Sequence, residues 1–388
     1  MASRNQHRDQ AARSSEADVI QLHAFDDIDV AVIGGGQAAL AVGFYLRRSG
    51  LRYTLFDDQE GPGAAWRHVW PSLHLFSPAQ WSSLPGWLMP HDRTDGTGVY
   101  PTRETALAYL TEYERRYAIP VERPVRVHSV SREDQAGDGY HLETSAGTVR
   151  ARAVVSATGT WANPVLPDLP GRERFRGVVL HSARYSGSAP FAGRRVIVVG
   201  GGNSGAQIVA ELSTVADVTW ATREPPHFLP DEVDGRYLFE QATARYRALQ
   251  EGRTPDPPRS LGDVVIIPAV RAARDRGDLE AVPMFTRFTD RGVVWSEGRE
   301  ETVDAVIFAT GFHPALAHLA PLGVVGSDGR VAVQGGGSGT HALGEPRLWL
   351  VGYGEWTGFA SATLIGVGRS ARATVDEITS ALGATRRA

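Results

Sequence analysis

Short, mainly apolar and β-branched runs punctuate this chain: Ile28 to Ile33, Tyr53 to Phe56, Arg195 to Val199, Val218 to Ala221 and Val303 to Ala309. Runs of this length without polar alternation predict strands buried on both faces. Helix-compatible stretches follow two of them, Gln37 to Arg48 and Ser204 to Leu212. Two strand–helix–strand successions predict two βαβ units and hence an α/β fold with parallel sheets. Val125 to Val130, Tyr140 to Thr144 and Arg150 to Ser156 add a small mixed sheet. Thr102 through Tyr117 has the helical period, with Thr102 as N-cap and Glu104 and Glu112 on or near its polar face. A loop rich in Pro, Trp and Gly runs from Gly61 to Pro101. Asp231 to Pro258 predicts a helical excursion over a cleft that breaks at Pro255-Asp-Pro-Pro258, and Ala360 to Leu382 predicts a terminal helix.

Both βαβ units carry the same glycine-rich turn between strand and helix. The first reads Ile28-Asp-Val-Ala-Val-Ile-Gly-Gly-Gly-Gln-Ala-Ala39, the second Arg195-Val-Ile-Val-Val-Gly-Gly-Gly-Asn-Ser-Gly205. Gly34 and Gly200 permit the tight turn, Gly36 and Gly202 let a pyrophosphate approach, and Ala39 and Gly205 keep the helix close to its strand. Gln37 and Ala38, and Asn203 and Ser204, open the helices whose N-termini face the phosphates. At the same offset of 23 positions the first copy has Asp57 and the second Arg223. A carboxylate there suits a free ribose and a guanidinium a 2′-phosphate, so the expected cofactors are FAD in the first site and NADPH in the second. The expected architecture is two Rossmann-like dinucleotide-binding domains, the NADPH domain (166–301) inserted into a discontinuous FAD domain (28–165 and 302–385). Ala157-Thr-Gly159 closes the first nucleotide segment, and Thr310-Gly311 follows the strand at Val303 to Ala309.

The 388 residues accommodate two domains with real cores. A net charge of −4 without a Lys/Arg stripe points away from nucleic acid and anionic membranes. No residue is cysteine, which excludes disulfide staples, thiolate metal sites and a redox-active C-x-x-C pair. Electrons leaving a flavin must therefore pass to a small molecule, oxygen or another protein. No run approaches a membrane span, and residues 1–27 read as a polar, disordered leader of a cytoplasmic protein. His68, His74, His91 and His227 lack metal spacing, so no metal site is expected.

Further strings carry a family resemblance: Gly61-Pro-Gly-Ala-Ala-Trp-Arg67, Leu75-Phe-Ser-Pro-Ala-Gln-Trp81, Phe175-Arg-Gly-Val-Val-Leu-His-Ser-Ala-Arg-Tyr185, Ala309-Thr-Gly-Phe-His-Pro314 and Gly354-Glu-Trp-Thr-Gly-Phe-Ala-Ser-Ala362. From Asp29 to Ile378 the chain resembles class B flavin-dependent monooxygenases, a fold shared with the pyridine-nucleotide-disulfide reductases. Within them it is most similar to the monooxygenases encoded beside arsenic-resistance genes. The resemblance implies an F-x-G-x-x-x-H-x-x-x-[FY] motif on Phe175, Gly177, His181 and Tyr185. Where Baeyer–Villiger relatives end in Trp-Pro this chain has Tyr185-Ser186, which favours heteroatom oxygenation. The Leu73 to Ser77 stretch lacks the Asn of many N- and S-oxidising relatives.

The resemblance further implies that Trp66 and Arg67 lie along the flavin and that His181 and Tyr185 sit between the domains. It places Ser77 where relatives pack NADP⁺ against the flavin, and Trp356 and Thr357 at the flavin ring, so His181, Tyr185, Ser77 and Trp356 are the candidate catalytic residues. The expected reaction reduces FAD with NADPH, forms a C4a-hydroperoxyflavin with molecular oxygen and oxygenates a small nucleophilic substrate, an arsenic compound among the candidates. Two alternatives stay open, an NADPH oxidase or flavin reductase without oxygen insertion and a nucleotide-responsive protein without catalysis. A homodimer is also left open.

Overall fold

A computed structural model describes residues 27–90, 100–133, 139–233, 235–254, 263–334, 339–358 and 360–383. The expected leader up to residue 26, His91, the Pro255 to Pro258 break and most of the Gly335 to Gly339 loop lie outside the described residues.

The chain opens with strand β1 (Ile28–Ile33), helix α1 (Gln37–Leu46) and strand β2 (Tyr53–Phe56), as the apolar pattern predicts. Helix α2 (Arg103–Arg116) begins at Thr102, whose side chain accepts a hydrogen bond from the Thr105 N–H. Its buried residues Ala106, Tyr109, Leu110 and Tyr113 fall on one face. Strands β3 (Val121–Glu122), β4 (Val127–Arg132), β5 (Tyr140–Thr144) and β6 (Gly147–Ser156) follow. The first sheet has the order β3-β2-β1-β6-β5-β4. β6 is long enough to serve two partners on one side. Its first half pairs antiparallel with β5, and its second half runs parallel to a strand near the C-terminus.

The second sheet is assembled from β7 (Val178–His181), β8 (Arg195–Val199), helix α3 (Asn203–Leu212) and β9 (Asp217–Thr222). Helices α4 (Gly235–Gln250) and α5 (Pro268–Asp275) lead to β10 (Ala281–Pro283). A small antiparallel sheet of β11 (Arg287–Phe288), β12 (Gly292–Val294) and β13 (Glu300–Thr302) precedes β14 (Ala305–Phe308). The second sheet runs β10-β9-β8-β14-β7, all parallel. β15 (Leu348–Leu350) then returns to the first sheet beside β6, and α6 (Val367–Ala381) packs on α1.

Two boundaries differ from the sequence expectation. The strand at Val303 to Ala309 does not reopen the first domain. As β14 it fills the gap between β7 and β8, where all four of its apolar residues are buried. The return to the first sheet comes only at β15. The terminal helix starts at Val367 rather than Ala360, because Ala360 has φ +53° and its carbonyl would lie 2.2 Å from a Cβ at Gly366. A helix cannot run through a left-handed residue.

Two connections join the sheets, one leaving β6 and one leaving β14, and they run side by side. Pro164 bridges Phe312, the Val165 N–H donates to the Gly311 carbonyl at 2.9 Å, and the Ala315 N–H donates to the Gly159 carbonyl at 3.0 Å. Gly159 (φ +64°) and Gly311 (φ +81°) occupy matching left-handed positions after an Ala-Thr pair.

Candidate functional site: two glycine loops and an uncharged cavity

The two glycine loops are built alike. Gly34 has φ +118°, and a Cβ there would sit 2.5 Å from the Ala157 carbonyl oxygen. Gly200 has φ +128°, and its Cβ would sit 2.3 Å from the Ala309 carbonyl oxygen. Each first glycine therefore lies on the Ala-Thr-Gly turn that ends the neighbouring strand, and no side chain fits between. Gly205 is equally constrained, 2.1 Å from the Gly200 carbonyl oxygen if given a Cβ, which brings α3 against β8. Ala38 and Ala39 are buried in α1. Gly36 and Gly202 are the N-caps of α1 and α3. Neither helix has a side-chain cap or an acidic residue in its first turn. The N–H groups of both termini are left for an anion, which fits a dinucleotide pyrophosphate.

Asp57 follows β2 beneath the first loop, where a Cβ on Gly35 would run into its carboxylate. Its carboxylate, expected to face a ribose, is already engaged by a protein partner. It is 4% exposed, and Arg123 Nε donates to its Oδ2 at 2.6 Å. The other end of the same guanidinium grips Glu114 through two bonds, of 2.6 and 2.8 Å. Burial pushes the Asp57 carboxyl up, against the pull of Arg123. Sequence spacing carried no signal for this triad, since Arg123 is remote from Asp57 in the chain.

Beyond α1 lies a cavity of about 130 Å³. Gln37, Trp66 and Ser77 line it, with Trp81 and Ser82 of the adjoining turn, Phe239 of α4 and the 360–365 loop among the other walls. The Trp66 Nε1–H donates to Gln37 Oε1 at 3.2 Å, and Gln37 Nε2 donates to the Ala362 carbonyl at 2.7 Å. Arg103, at the start of α2, holds the Trp66–Arg67 turn by donating to both carbonyls, at 3.1 and 2.7 Å. Ala64 and Ala360 both adopt left-handed φ, +44° and +53°, at the edges of this site. Backbone strain of about 1–2 kcal/mol per such residue persists where packing over-determines it. Two ties clasp the preceding loop to α3. Gln207 exchanges hydrogen bonds with the His74 backbone, and Ser72 donates to Glu211 at 2.6 Å.

The family model for the pyridine nucleotide-disulphide oxidoreductases matches residues 31–234. A flavin-containing monooxygenase of Stenotrophomonas maltophilia superposes with a TM-score of 0.81 at 50% identity, covering 92% of this chain and 99% of that one. The chain belongs to the flavin monooxygenases of that oxidoreductase family. An uncharacterized CzcO-like oxidoreductase of Geobacillus kaustophilus is 33% identical over 212 residues, spanning 55% of this chain and 59% of that protein. The uncharacterized oxidoreductase CzcO of Bacillus velezensis is 27% identical over 90% of this chain and 99% of its own length. An open form of cyclohexanone monooxygenase shares the fold at 21% identity with a TM-score of 0.65.

Against this flavin monooxygenase frame, several residues singled out by the motifs have other duties. His181 ends β7 with both ring nitrogens engaged. Nδ1 accepts from the Ala183 N–H at 3.1 Å and Nε2 donates to the Gly311 carbonyl at 3.0 Å. Burial holds its pKa below the usual histidine range, so the ring stays neutral at pH 7. In this arrangement it positions the β14 exit turn and has no nitrogen left to move a proton. Tyr185 is 1% exposed, wedged edge-on to Trp70 and stacked on Phe191, so it fills the core of the second unit. The Ser77 hydroxyl pairs with that of Ser82 at 2.9 Å. Thr357 is spent within its own turn, accepting from the Tyr353 N–H at 3.0 Å and bonding Ser361 Oγ. Trp356 packs on Tyr353, away from the cavity lining.

On the second loop, Asn203 does not cap its own helix. Its amide donates to the Asp263 carbonyl and accepts from the Val265 N–H, both at 2.9 Å, which lays that segment over the start of α3. Ser204 is half-buried in the first turn of α3. Arg223 follows β9, is exposed, and makes no ion pair among the described residues. Arg67 is half-buried, its Nη1 3.5 Å from the Pro62 carbonyl.

Proposed function

We propose that this chain is an NADPH- and FAD-dependent monooxygenase that inserts oxygen at the nucleophilic heteroatom of a small, uncharged substrate. The observation that carries this reading is the cavity beside the first glycine loop, which has no ionisable side chain among the described residues of its lining. The loops themselves fit the two cofactors, since a pyrophosphate can approach only where Gly34, Gly36, Gly200 and Gly202 stand. When bound, FAD relays electrons from NADPH to dioxygen. The residues of this chain bind, orient and exclude water. The N-termini of α1 and α3 hold the two pyrophosphates, and Arg223 meets the 2′-phosphate. The Trp66–Gln37–Ala362 chain fixes one cavity wall, and Trp81, Phe239 and the 360–365 loop keep the reacting centre dry.

Sulfides, amines and organic derivatives of trivalent arsenic share the required lone pair. A wall without charge or thiolate favours these over strongly hydrated arsenite. The test is turnover of the holoenzyme with NADPH under ¹⁸O₂. One labelled atom per product, with NADPH consumed in proportion to product, is the expected result. Unlabelled substrate with stoichiometric hydrogen peroxide for every sulfide, amine and arsenical tried refutes the reading in favour of an oxidase.

A further inference from the structure

Residues 69–77 precede α2 and the first sheet's later strands, yet most of their apolar side chains are spent on the second unit. Trp70 is buried in the core built on β8 and α3, edge-on to Tyr185, and Val69, Leu73 and Phe76 pack against the same core. Leu75 is buried in the core of the first unit. One backbone edge of this segment pairs with the entry to α2. His74 bridges Thr102 antiparallel, the Leu75 N–H donates to the Pro101 carbonyl at 2.9 Å, and the Arg103 N–H donates to the Leu73 carbonyl at 3.0 Å. The N–H and carbonyl of His74 form the other edge, and Gln207 of α3 takes both. It accepts from the N–H at 3.2 Å and donates to the carbonyl at 3.1 Å. A primary amide offers one acceptor and a donor side by side, as a strand does, so Gln207 stands in for a neighbouring strand. One turn further along the same face of α3, Glu211 accepts from Ser72 Oγ at 2.6 Å and from the Ser188 N–H at 3.0 Å.

Gln207 is 8% exposed. A buried amide is unfavourable unless both its ends are bonded, so the side chain holds His74 in one place. A continuous path results. α3 leaves the N–H groups of its N-terminus for the second dinucleotide, and one turn in it grips His74. His74 is followed directly by Leu75, Phe76 and Ser77, which line the cavity beside the first glycine loop. We propose that Gln207 is a positioning residue through which a nucleotide bound at α3 fixes the 72–77 wall of that cavity, with Ser72–Glu211 as the outer tie. This rests on the assignment of NADPH to the second loop and not on oxygen insertion, so an enzyme that releases only peroxide leaves it standing.

The test is hydrogen exchange of the 72–77 amides, followed by mass spectrometry in the oxidised holoenzyme with and without saturating NADP⁺, so it does not depend on turnover. In the parent NADP⁺ should slow this exchange about five- to tenfold, the lower end of ordinary coupling between two sites. Methionine keeps the length of glutamine and removes both bonds to His74. In Q207M the same amides should exchange faster and NADP⁺ should no longer slow them. FAD content and NADP⁺ affinity should stay within about threefold of the parent, less than a hydrogen bond lost at either cofactor would give. S72A, a change at an exposed residue, keeps Gln207 and should cut the protection by about half or more. Absence of protection in the parent overturns the proposal, as does protection that survives in Q207M, since the nucleotide then reaches the wall without α3. Loss of FAD or of NADP⁺ binding from Q207M overturns it too, because Gln207 then supports a cofactor site directly. Should Q207M not fold, S72A decides, and undiminished protection there overturns the proposal. A parent that binds no NADP⁺ overturns the cofactor assignment and this inference together.

Discussion

Replacing Arg123 with methionine keeps most of the side-chain stem and removes the charge that joins Asp57 to Glu114. The Asp57 side chain is 5% exposed and that of Glu114 17%, so Asp57 cannot turn to water for compensation and Glu114 can do so only in part. Three bonds are lost, from Nε to Asp57 and from Nη1 and Nη2 to Glu114. Stranding a buried charge in this way costs about 3–5 kcal/mol, more than the intact triad contributes over an apolar replacement. The effect should reach the cofactor, because Asp57 lies directly under Gly35. Urea unfolding followed by release of flavin fluorescence should show a lower midpoint, and R123M should purify with less FAD. The double variant E114Q/R123M, which neutralises one stranded carboxylate, should recover about 1–2 kcal/mol. pH supplies a further check. Burial already raises the Asp57 pKa, and without Arg123 only the backbone hydrogen bond from Gln59 opposes it. The folded variant then binds a proton that its unfolded chain, with a carboxyl near 3.9, does not hold. Its deficit relative to the parent should therefore be largest at neutral pH and shrink as pH falls toward 5. A loss below about 1 kcal/mol, or a deficit that widens on acidification, refutes the buried-triad account.

His318 should set part of the acid limb of stability. It is buried against Ser156 Oγ at 3.0 Å and its pKa is pushed down to about 4. The unfolded chain takes up this proton near pH 6.5, so about 3 kcal/mol present above 6.5 is lost as pH falls to 4; denaturant midpoints of H318Q should fall less steeply across that window. R223A should weaken NADPH relative to NADH about ten- to hundredfold in anaerobic flavin reduction, because a charge-assisted phosphate contact is worth about 1.5–3 kcal/mol. An unchanged nucleotide ratio would make Arg223 an ordinary surface arginine.

Local chemistry was legible without coordinates. A glycine loop after a buried strand demands its own φ values and close approaches, so Gly34 and Gly200 read correctly from a dozen residues each. Thr102 announced the start of α2 for the same reason, since a cap bonds only within its own first turn. The zero-cysteine count needed no fold to exclude thiol chemistry. Long-range assignments were of another kind. The apolar run of β14 says only that the strand is buried. Whether it joins the first sheet or the second depends on which sheet has a gap, and that is decided by β7 and β8. The partners of Asp57 were invisible because Arg123, with Glu114 on its far side, reaches it only when β2 and β3 pair beside α2. His181 and Ser77 looked available for catalysis because a sequence lists donors and acceptors without their partners; Gly311 and Ser82 take them up only on folding. Chain-local geometry follows from residue type, whereas hydrogen-bond satisfaction depends on every neighbour, and distant segments supply most of those neighbours.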